Sequence, residues 1–531
     1  MNPLIEESPL AATPVHRGAT ETDNTMVGRP PIIQPRFSAG EGGPGTATHG
    51  SIEHVLKTAG FREHEVRAIY FGNWLRDYSQ LLDPKIVRAT SMPKSFPDLL
   101  SRDALTKVVD VLAIREFKDL MQVDRERFRV TAQRLGVYRP SEHIDNPKVT
   151  DPEPANPQSR DSDFEPWVLD GDALLKVDYQ TSMKRYIQRS TATMKSQLDS
   201  ASSAGLESTD GLRAFGSALH ILEDFFSHSN FAELSLIKLG YTDVLPWTSR
   251  ADCRHGLPLV TGMFGSTDVI ASLAAPTGKI LFSVKDTIFT PIQSGERYEK
   301  DQIIQILLSE HPDERLLSAY EGFLKVRDTW ADLPYSSYLQ ELNHHLALPG
   351  QLFNNAIGYV MQALLTVIGN SIGPAQTLTT GDPNSNGSTD PSHSQLAKDH
   401  AEHPLHELAA LLAQEAVEHL GFVMLEHWLG RSGAGDPGVV AAAYITHAND
   451  SSWQDDIVRK WAAENPQQVR KAASKNELAN VAEKVRGQAM QELENLNSQG
   501  THFLETFLTE DNPLLRLWKL TPLGWYLTRR K

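Results

Sequence analysis

The stretch from His220 to His228, HILEDFFSH, constrains what this chain can fold into more than any other. His220, Asp224 and His228 are four residues apart, and four residues advance about 40° around a helix axis, so the three side chains would form one narrow stripe. Because apolar residues flank the stripe, we expect the helix to be largely buried. These flanking residues are Leu219, Ile221, Leu222, Phe225 and Phe226.

A buried carboxylate between two imidazoles is costly unless a cation or hydrogen bonds neutralise it. A divalent metal would do so, and His and Asp ligands favour zinc or a similar cation. The alternative is a polar network in the core, or a helix face that lines a cavity without metal. Spacing alone leaves both interpretations open.

Length, net charge and cysteine count limit the kinds of protein that this chain can be. The chain has 531 residues, more than one core usually holds, so we expect several domains or one core with large insertions. Its net charge of -16 argues against a stable nucleic-acid partner, although a bound cation would still permit a nuclease. Cys253 is the only cysteine, which excludes an internal disulfide and a CxxC metal site.

The beginning of the chain, MNPLIEESPLAATPVHRG, has neither a basic segment nor a continuous apolar core. It does not resemble a secretory signal, so we expect cytoplasmic synthesis without a signal peptide. Secretion to act on membranes would then follow a leaderless route. Residues 1–45 are rich in Pro, Gly, Thr and Ser, which predicts a flexible leader.

Helical periodicity dominates the rest, and no alternating pattern persists long enough for a major sheet. We therefore predict an all-α fold, with Asp210 as the N-cap and Gly240 as the end of the helix that carries the stripe. The predicted domains are the leader, a metal-binding core (46–290), a helical insertion (291–380), a return segment completing the metal site (381–435) and a C-terminal helical region (436–531).

Two apolar segments raise the question of a membrane. Residues 346–381 lack Asp, Glu, Lys and Arg, which predicts a buried hairpin helix, with a membrane-inserting element as the alternative. The last nineteen residues, 513–531, carry five basic residues, two tryptophans and a tyrosine. They form either an ordinary docked terminus or an interfacial anchor.

Four strings resemble the Het-C heterokaryon-incompatibility family: HGSIE, YFGNWLRDYSQ, RLGVYRPSEHIDNPK and LHILEDFFSHSNFAELSLIKLG. VTGMFGS (260–266) and PSHSQLAKDH (391–400) extend the resemblance. This family is in turn similar to the zinc-dependent phospholipase C and single-strand nuclease superfamily. The resemblance implies a multi-helix core with two or three zinc ions, or another divalent metal.

The superfamily's ligand order can be read along this chain. The implied metal ligands are His49, Asp77, His143, His220, Asp224, His228 and His393, followed by Asp399 or His400. The resemblance further implies that Asp77 and Asp224 act in catalysis, with Glu53 as a proton-transfer group. Glu223 and Glu233 are further candidates for proton transfer or for supporting a metal ligand, and each of the three glutamates could equally be a salt-bridged helix residue. Asn73, Trp74 and Arg76 are the substrate-binding residues that it suggests.

We therefore expect a zinc-dependent phosphoric diester hydrolase of phospholipase C type that acts as a toxin or effector on a phospholipid substrate at a membrane surface. A nuclease or nucleotidase of the same superfamily is the second interpretation. The third is a non-enzymatic, membrane-active or self-recognition protein that triggers cell death. A secretion apparatus or an immunity protein are further expected partners.

Overall fold

The computed structural model describes residues 48–96, 98–149, 156–263, 297–331, 381–431 and 435–481, with residues 295, 433, 483 and 484. The predicted all-α fold is confirmed: these residues form seventeen α-helices, and strands are confined to one short parallel pair, β1 (Val87–Arg88) and β2 (Leu100–Ser101). The predicted leader, residues 346–380 of the apolar stretch and the basic-aromatic tail lie outside the described residues.

Ten of the helices precede residue 240. They are α1 (His49–Ile52), α2 (Leu56–Ala59), α3 (Glu63–Ser79), α4 (Arg102–Glu116), α5 (Lys118–Val123), α6 (Arg125–Phe128), α7 (Ala132–Leu135), α8 (Arg185–Ala204), α9 (Thr209–His228) and α10 (Phe231–Lys238). Seven follow: α11 (Glu299–Ser309), α12 (Glu314–Ala331), α13 (His393–Leu396), α14 (His406–Trp428), α15 (Pro437–Tyr444), α16 (Asp455–Glu464) and α17 (Pro466–Ala472).

Helix α9 is the centre of the core, and every residue from Ala214 to His228 is buried. Its N-cap is Ser208, whose hydroxyl accepts a hydrogen bond from the amide of Gly211, so the prediction of Asp210 as N-cap is wrong. Asp210 instead lies in the first turn, where its charge favours the positive end of the helix dipole.

The helix that carries the stripe also ends earlier than predicted. Ser229 is extended (φ -106°, ψ 167°), so the chain breaks between α9 and α10 instead of continuing to Gly240. The side chain of Asn230 stabilises this break: its amide donates to the carbonyls of Pro246 and Pro258, and its oxygen accepts from the amide of Val260.

Helices α3 and α8 pack along α9, and α3 approaches it most closely at two glycines. A Cβ on Gly72 would overlap the carbonyl oxygen of Arg213, and a Cβ on Gly216 would overlap that of Ile69. Only glycine allows the two backbones to come this close. The approach matters because α3 carries Asn73 and Asp77, while α9 carries the stripe.

The later helices cover the same core. Helix α14 packs on α2 and α9, α15 packs on α8, and α16 packs on α10. Among the described residues, α14 is the one helix long and apolar enough to cross a membrane, but 67% of its most apolar window is buried inside the protein. That burial is typical of a core helix in a globular protein.

Candidate metal centre

The three residues of the α9 stripe point to one buried place in the core. The exposed fraction is 0% for His220, 1% for Asp224 and 6% for His228. His49 joins them as the first residue of α1, a helix that begins at the capping box of Thr48 and Ser51. Helix α3 supplies Asp77 from its last turn.

The inner group, as we call it, consists of His49, Asp77, His143, His220 and Asp224. Asp224 lies at its middle, with Oδ2 3.0 Å from Nε2 of His220 and 3.7 Å from Nδ1 of His143. Its other oxygen, Oδ1, lies 3.7 Å from Nε2 of His49, and this nitrogen is 3.8 Å from Oδ2 of Asp77. His49, His220 and Asp224 each offer a ligand atom within 4.8 Å of the others.

The hydrogen bonds of two histidines fix where their protons lie. Nδ1 of His220 lies 2.9 Å from the amide oxygen of Asn73, which can only accept, so the proton is on Nδ1. Nε2 of His143 lies 3.3 Å from the hydroxyl of Ser79, which donates its own hydrogen to the carbonyl of Arg76. The proton of His143 is therefore on Nε2, consistent with the amide of Gln80 donating to its Nδ1 at 3.2 Å.

Three lone-pair atoms consequently face one another. Nε2 of His220 and Nδ1 of His143 are 2.9 Å apart, and both lie close to Oδ2 of Asp224, a buried atom with no hydrogen-bond partner. Burial lowers the pKa of both His143 and His220, so neither ring gains a second proton readily. Three acceptors gathered without a hydrogen between them repel one another unless a cation lies among them.

The outer group consists of Asp145, His228, His393 and Asp399. Nδ1 of His228 lies 3.9 Å from Oδ1 of Asp145 and also 3.9 Å from Oδ2 of Asp224, so Asp224 adjoins both groups. Nε2 of His228 lies 3.2 Å from Oδ1 of Asp399, and Nε2 of His393 is 3.6 Å from the other oxygen of Asp399. Asp145, His228 and His393 form a second set of ligand atoms within 4.8 Å.

Backbone bridges between distant segments assemble the outer group. The amide of Asn146 donates to the carbonyl of Gly262, and the amide of His393 donates to that of Met263. The amide of Gly262 in turn donates to the carbonyl of His228 at the end of α9. The loop after His143, the end of α9 and the start of α13 therefore meet at one point.

The backbone between His143 and Asp145 adopts a rare conformation. Ile144 has φ 54°, the left-handed region that a β-branched residue seldom adopts, and its side chain is fully buried. Such a conformation costs on the order of 1–3 kcal/mol and persists only where the surroundings enforce it. It directs His143 to the inner group and Asp145 to the outer group.

Protons supply the positive charge that the carboxylates require. Burial opposes a charge on His49, but Asp77 and Glu223 raise its pKa to about 10. Burial likewise opposes a charge on His228, while Asp399 and Asp224 raise its pKa to about 10.

The carboxylates respond to the same neighbours. Burial would raise the pKa of Asp224, yet His220 and His228 hold it well below its usual value. Burial raises the pKa of Asp145 to about 6 in spite of the nearby histidines. A cation bound in these groups would take over the charge of the histidine protons and release them.

The structure brings together eight of the nine ligands that the sequence suggests. Of the two alternatives Asp399 and His400, the structure favours Asp399, because its carboxylate contacts His228 and adjoins His393. His400 is half-buried and lies close enough to His403 to lower the pKa of that ring, after burial as the larger cause.

The four other suggested residues lie in the interior instead of at a substrate-accessible surface. Glu53 and Asn73 are fully buried and hydrogen-bonded to each other. Trp74, 1% exposed, stacks on Tyr78 with ring centroids 4.0 Å apart. Arg76, 6% exposed, donates to Glu142 at 2.5 Å. Hydrogen bonds, ring packing and an ion pair hold these side chains in the core, and their roles in catalysis and substrate binding stay predictions.

One residue of the site, Asp145, was not among the predicted ones. Asp145 follows His143 by two positions in the same string, EHIDNP, and that spacing was the available signal. Glu223 accepts a hydrogen bond from Nδ1 of His49 at 2.5 Å and thereby turns Nε2 of that ring toward Asp77 and Asp224. Glu223 was among the candidates for supporting a metal ligand or transferring a proton, and its contact with His49 fits the supporting role.

Comparison with known proteins gives one match. The family model described as "Heterokaryon incompatibility protein Het-C" matches residues 44–287, which hold every inner-group residue together with Asp145 and His228. No curated protein and no solved structure matches the chain significantly. His393 and Asp399 lie beyond the matched range.

Proposed function

Residues 44–287 belong to the Het-C family, and from the site that they build we propose that the protein is a metal-dependent phosphodiester hydrolase of phospholipase C type. The observation that carries the proposal is the meeting of His143, His220 and Asp224. Asn73 and Ser79 hold hydrogen on the far nitrogens of His220 and His143. The two near nitrogens and Oδ2 of Asp224 then form three acceptors 2.9–3.7 Å apart, and all three residues are buried.

The donor atoms suit zinc. Zinc–nitrogen bonds of about 2.1 Å in a tetrahedron place two ligand atoms about 3.4 Å apart, and the contacts within the two groups range around that value. Imidazole and carboxylate ligands also admit other divalent metals such as manganese or cobalt. The inner group would hold one ion and the outer group a second, with the carboxylate of Asp224 able to reach both.

Bound metal would supply a water of lowered pKa and would polarise the phosphoryl oxygen of a phosphodiester. One side of the site is open to solvent and could admit substrate. Asp77, His393 and Asp399 are 18%, 11% and 16% exposed at their side chains, whereas His220 and Asp224 are sealed. Substrate would therefore approach along the side where these three residues lie, with Asp77 and Asp399 positioned to accept a proton.

Charge favours a phospholipid over a nucleic acid as substrate. A net charge of -16 repels a polyanion, whereas one phosphodiester at a lipid surface presents a single charge. The basic-aromatic composition of residues 513–531 suits an interfacial contact with lipid. A role as a toxin or effector on membranes agrees with such a substrate.

The test uses the full-length protein, its metal content and a mixed set of substrates. Purified protein is assayed for zinc by mass spectrometry and then incubated with phospholipid vesicles and with single-stranded nucleic acid. We expect about two zinc ions per chain and release of phosphorylated headgroup with diacylglycerol. Asp224→Ala should lower both zinc affinity and activity by more than about 100-fold, because even supporting residues change metal affinity 10–100-fold.

Asp199→Ala is the matched control, since Asp199 is an exposed aspartate on the neighbouring helix α8. It should behave like the wild type in both assays. Release of nucleotides alone would replace the phospholipase assignment with a nuclease. A metal-free protein that still lyses vesicles would overturn the enzymatic proposal in favour of a membrane-active protein.

A further inference from the structure

We propose that Asn73 is a positioning residue that fixes which ring nitrogen of both His49 and His220 is offered to metal. The inference rests on the proposed function, because it concerns ligands of the same site. Asn73 lies on α3, is fully buried, and contacts neither Asp224 nor the open side of the site in its hydrogen bonds. It acts through its neighbours.

The side-chain amide of Asn73 uses all of its principal hydrogen-bonding capacity. Nδ2 donates to Oε1 of Glu53 at 2.9 Å and to Oε2 of Glu223 at 3.3 Å. Oδ1 accepts from Nδ1 of His220 at 2.9 Å. Two donors and one acceptor thus meet two carboxyl groups and one ring N–H.

The orientation of the amide follows from these neighbours. If the amide were flipped, its oxygen would face Oε2 of Glu223, the carboxylate oxygen that also accepts from His49, and their lone pairs would repel each other. The flipped NH₂ group would in turn face the histidine. The two glutamates therefore hold the NH₂ group of Asn73 on their side, and the oxygen is left to face His220.

The result is a defined tautomer at His220. A ring nitrogen opposite an amide oxygen must carry the hydrogen, so Nε2 retains its lone pair. That lone pair is directed at Oδ2 of Asp224, 3.0 Å away. Reversal of the tautomer would place a hydrogen where the metal ligand is required.

His49 is fixed through Glu223. Oε2 of Glu223 receives a hydrogen bond from Asn73 and also lies 2.5 Å from Nδ1 of His49. A carboxylate oxygen accepts, so Nδ1 of His49 carries hydrogen and Nε2 faces Asp77 and Asp224. One amide therefore supports two histidines from different helices, and supporting partners of this kind orient metal ligands in many sites.

The backbone explains why the residue at position 73 can do this. Gly216 lies one helical turn before His220, and a Cβ there would crowd the backbone nitrogen of Asn73. The missing side chain lets α3 and α9 come close enough for the short side chain of Asn73 to reach His220. Glutamine, longer by one methylene, would not fit in this space.

Asn73→Leu tests the inference in the full-length protein, because leucine has the same number and branching of side-chain heavy atoms as asparagine and no hydrogen-bonding group. We expect zinc affinity, measured by chelator competition, to fall about 10–100-fold, as for other supporting residues. The visible spectrum of the cobalt-substituted variant should also lose intensity relative to the wild type, since ligand geometry changes.

Gln454→Leu is the matched control. Gln454 is another fully buried amide, donating to the carbonyls of Ala448 and Ser451 and accepting from the hydroxyl of Ser451, and it lies on another part of the fold. The Gln454→Leu substitution removes a comparable set of hydrogen bonds and should leave zinc affinity and the cobalt spectrum unchanged. Equal losses in the two variants would mean that Asn73 is merely structural and would overturn the inference.

A second measurement needs no Asn73 variant and no metal. Nitrogen-15 NMR of histidine-labelled, chelator-treated protein reports the protonated nitrogen of each ring, with His49→Gln and His220→Gln used to assign the signals. We expect hydrogen on Nδ1 alone in His220, and hydrogen on Nδ1 of His49, whose Nε2 also carries one while the ring is charged. Hydrogen on Nε2 of His220 alone would overturn the inference, whereas absent zinc binding with both rings as expected would overturn only the proposed function.

Discussion

At the scale of single residues, each histidine of the inner group already uses one ring nitrogen, the one that faces away from Asp224, in a hydrogen bond. Nδ1 of His220 is held by Asn73, Nδ1 of His49 by Glu223, and Nε2 of His143 by Ser79. The remaining nitrogens converge on Asp224. Because these bonds keep hydrogen on the engaged nitrogens, the nitrogens that face Asp224 are the ones available to a cation.

These protonation states predict how stability depends on pH. The pKa of His49 and of His228 is about 10 in the folded protein and 6.5 as the ordinary value. Their contribution to the free energy of unfolding is therefore complete below pH 6.5 and is lost as pH rises toward 10. Chelator-treated protein should lose stability across that window in urea unfolding.

Zinc-loaded protein should lose much less stability over the same range, because metal binding requires neutral rings and has already displaced their protons. Parallel pH profiles with and without zinc would contradict this account of His49 and His228. Asp224 affects stability only at acid pH. Since its pKa is held well below 3.8, it adds stability above that value and withdraws it only as the pH falls further.

At the scale of helices, the contact between α3 and α9 determines whether the ligands can meet. Gly72 and Gly216 remove the side chains that would separate the two backbones. Asn73 and Asp77 on one helix and His220 and Asp224 on the other depend on this spacing. Gly216 is the closer of the two to these ligands, because a Cβ there would also crowd the backbone nitrogen of Asn73.

Gly216→Ala should lower the free energy of unfolding by about 1–3 kcal/mol or more, because the new methyl group overlaps the carbonyl oxygen of Ile69 in a packed core. It should also weaken zinc binding. Gly322→Ala is the control, since Gly322 is an exposed glycine of α12 with open space around its Cα. That change should raise stability by about 0.5–1 kcal/mol, and equal effects of the two substitutions would contradict the prediction.

Periodicity and spacing predicted the helical class and the stripe of α9, because both follow from local geometry. The break at Ser229 was not predictable from periodicity, since Phe231 to Leu236 continue the apolar pattern. It depends on hydrogen bonds from Asn230 to carbonyls up to 28 residues away. Nor could Asp145 be predicted as a neighbour of His228, because backbone bridges from residues 146, 263 and 392 bring the segments together.

At the scale of the whole molecule, the site is completed by a segment far along the chain. Lys398 anchors that segment: its ammonium is fully buried, lies 3.0 Å from Oε1 of Glu233, and donates to the carbonyls of Ser229 and Leu396. The next residue, Asp399, reaches the outer group. The ion pair thus connects α10 to the segment that brings in the last ligand.

Glu233→Ala should lower the free energy of unfolding by about 3–5 kcal/mol, because it leaves the charge of Lys398 buried without its partner. Zinc should be lost preferentially from the outer group, giving a lower stoichiometry at limiting zinc. Asp456→Ala is the control, since it removes an exposed ion pair with Arg459 and should leave both quantities unchanged. A stable Glu233→Ala protein with full zinc content would show that the pair does not anchor the segment.

The central claim is that the inner and outer groups hold neighbouring metal ions around Asp224. Anomalous X-ray diffraction at the zinc edge, on crystals of zinc-loaded full-length protein, tests it directly. We expect two peaks about 3.5–4 Å apart, as in other two-metal sites. One should lie within about 2.3 Å of Nε2 of His220 and the other beside His228 and Asp399. Zinc-loaded crystals without anomalous density in either group would contradict the claim.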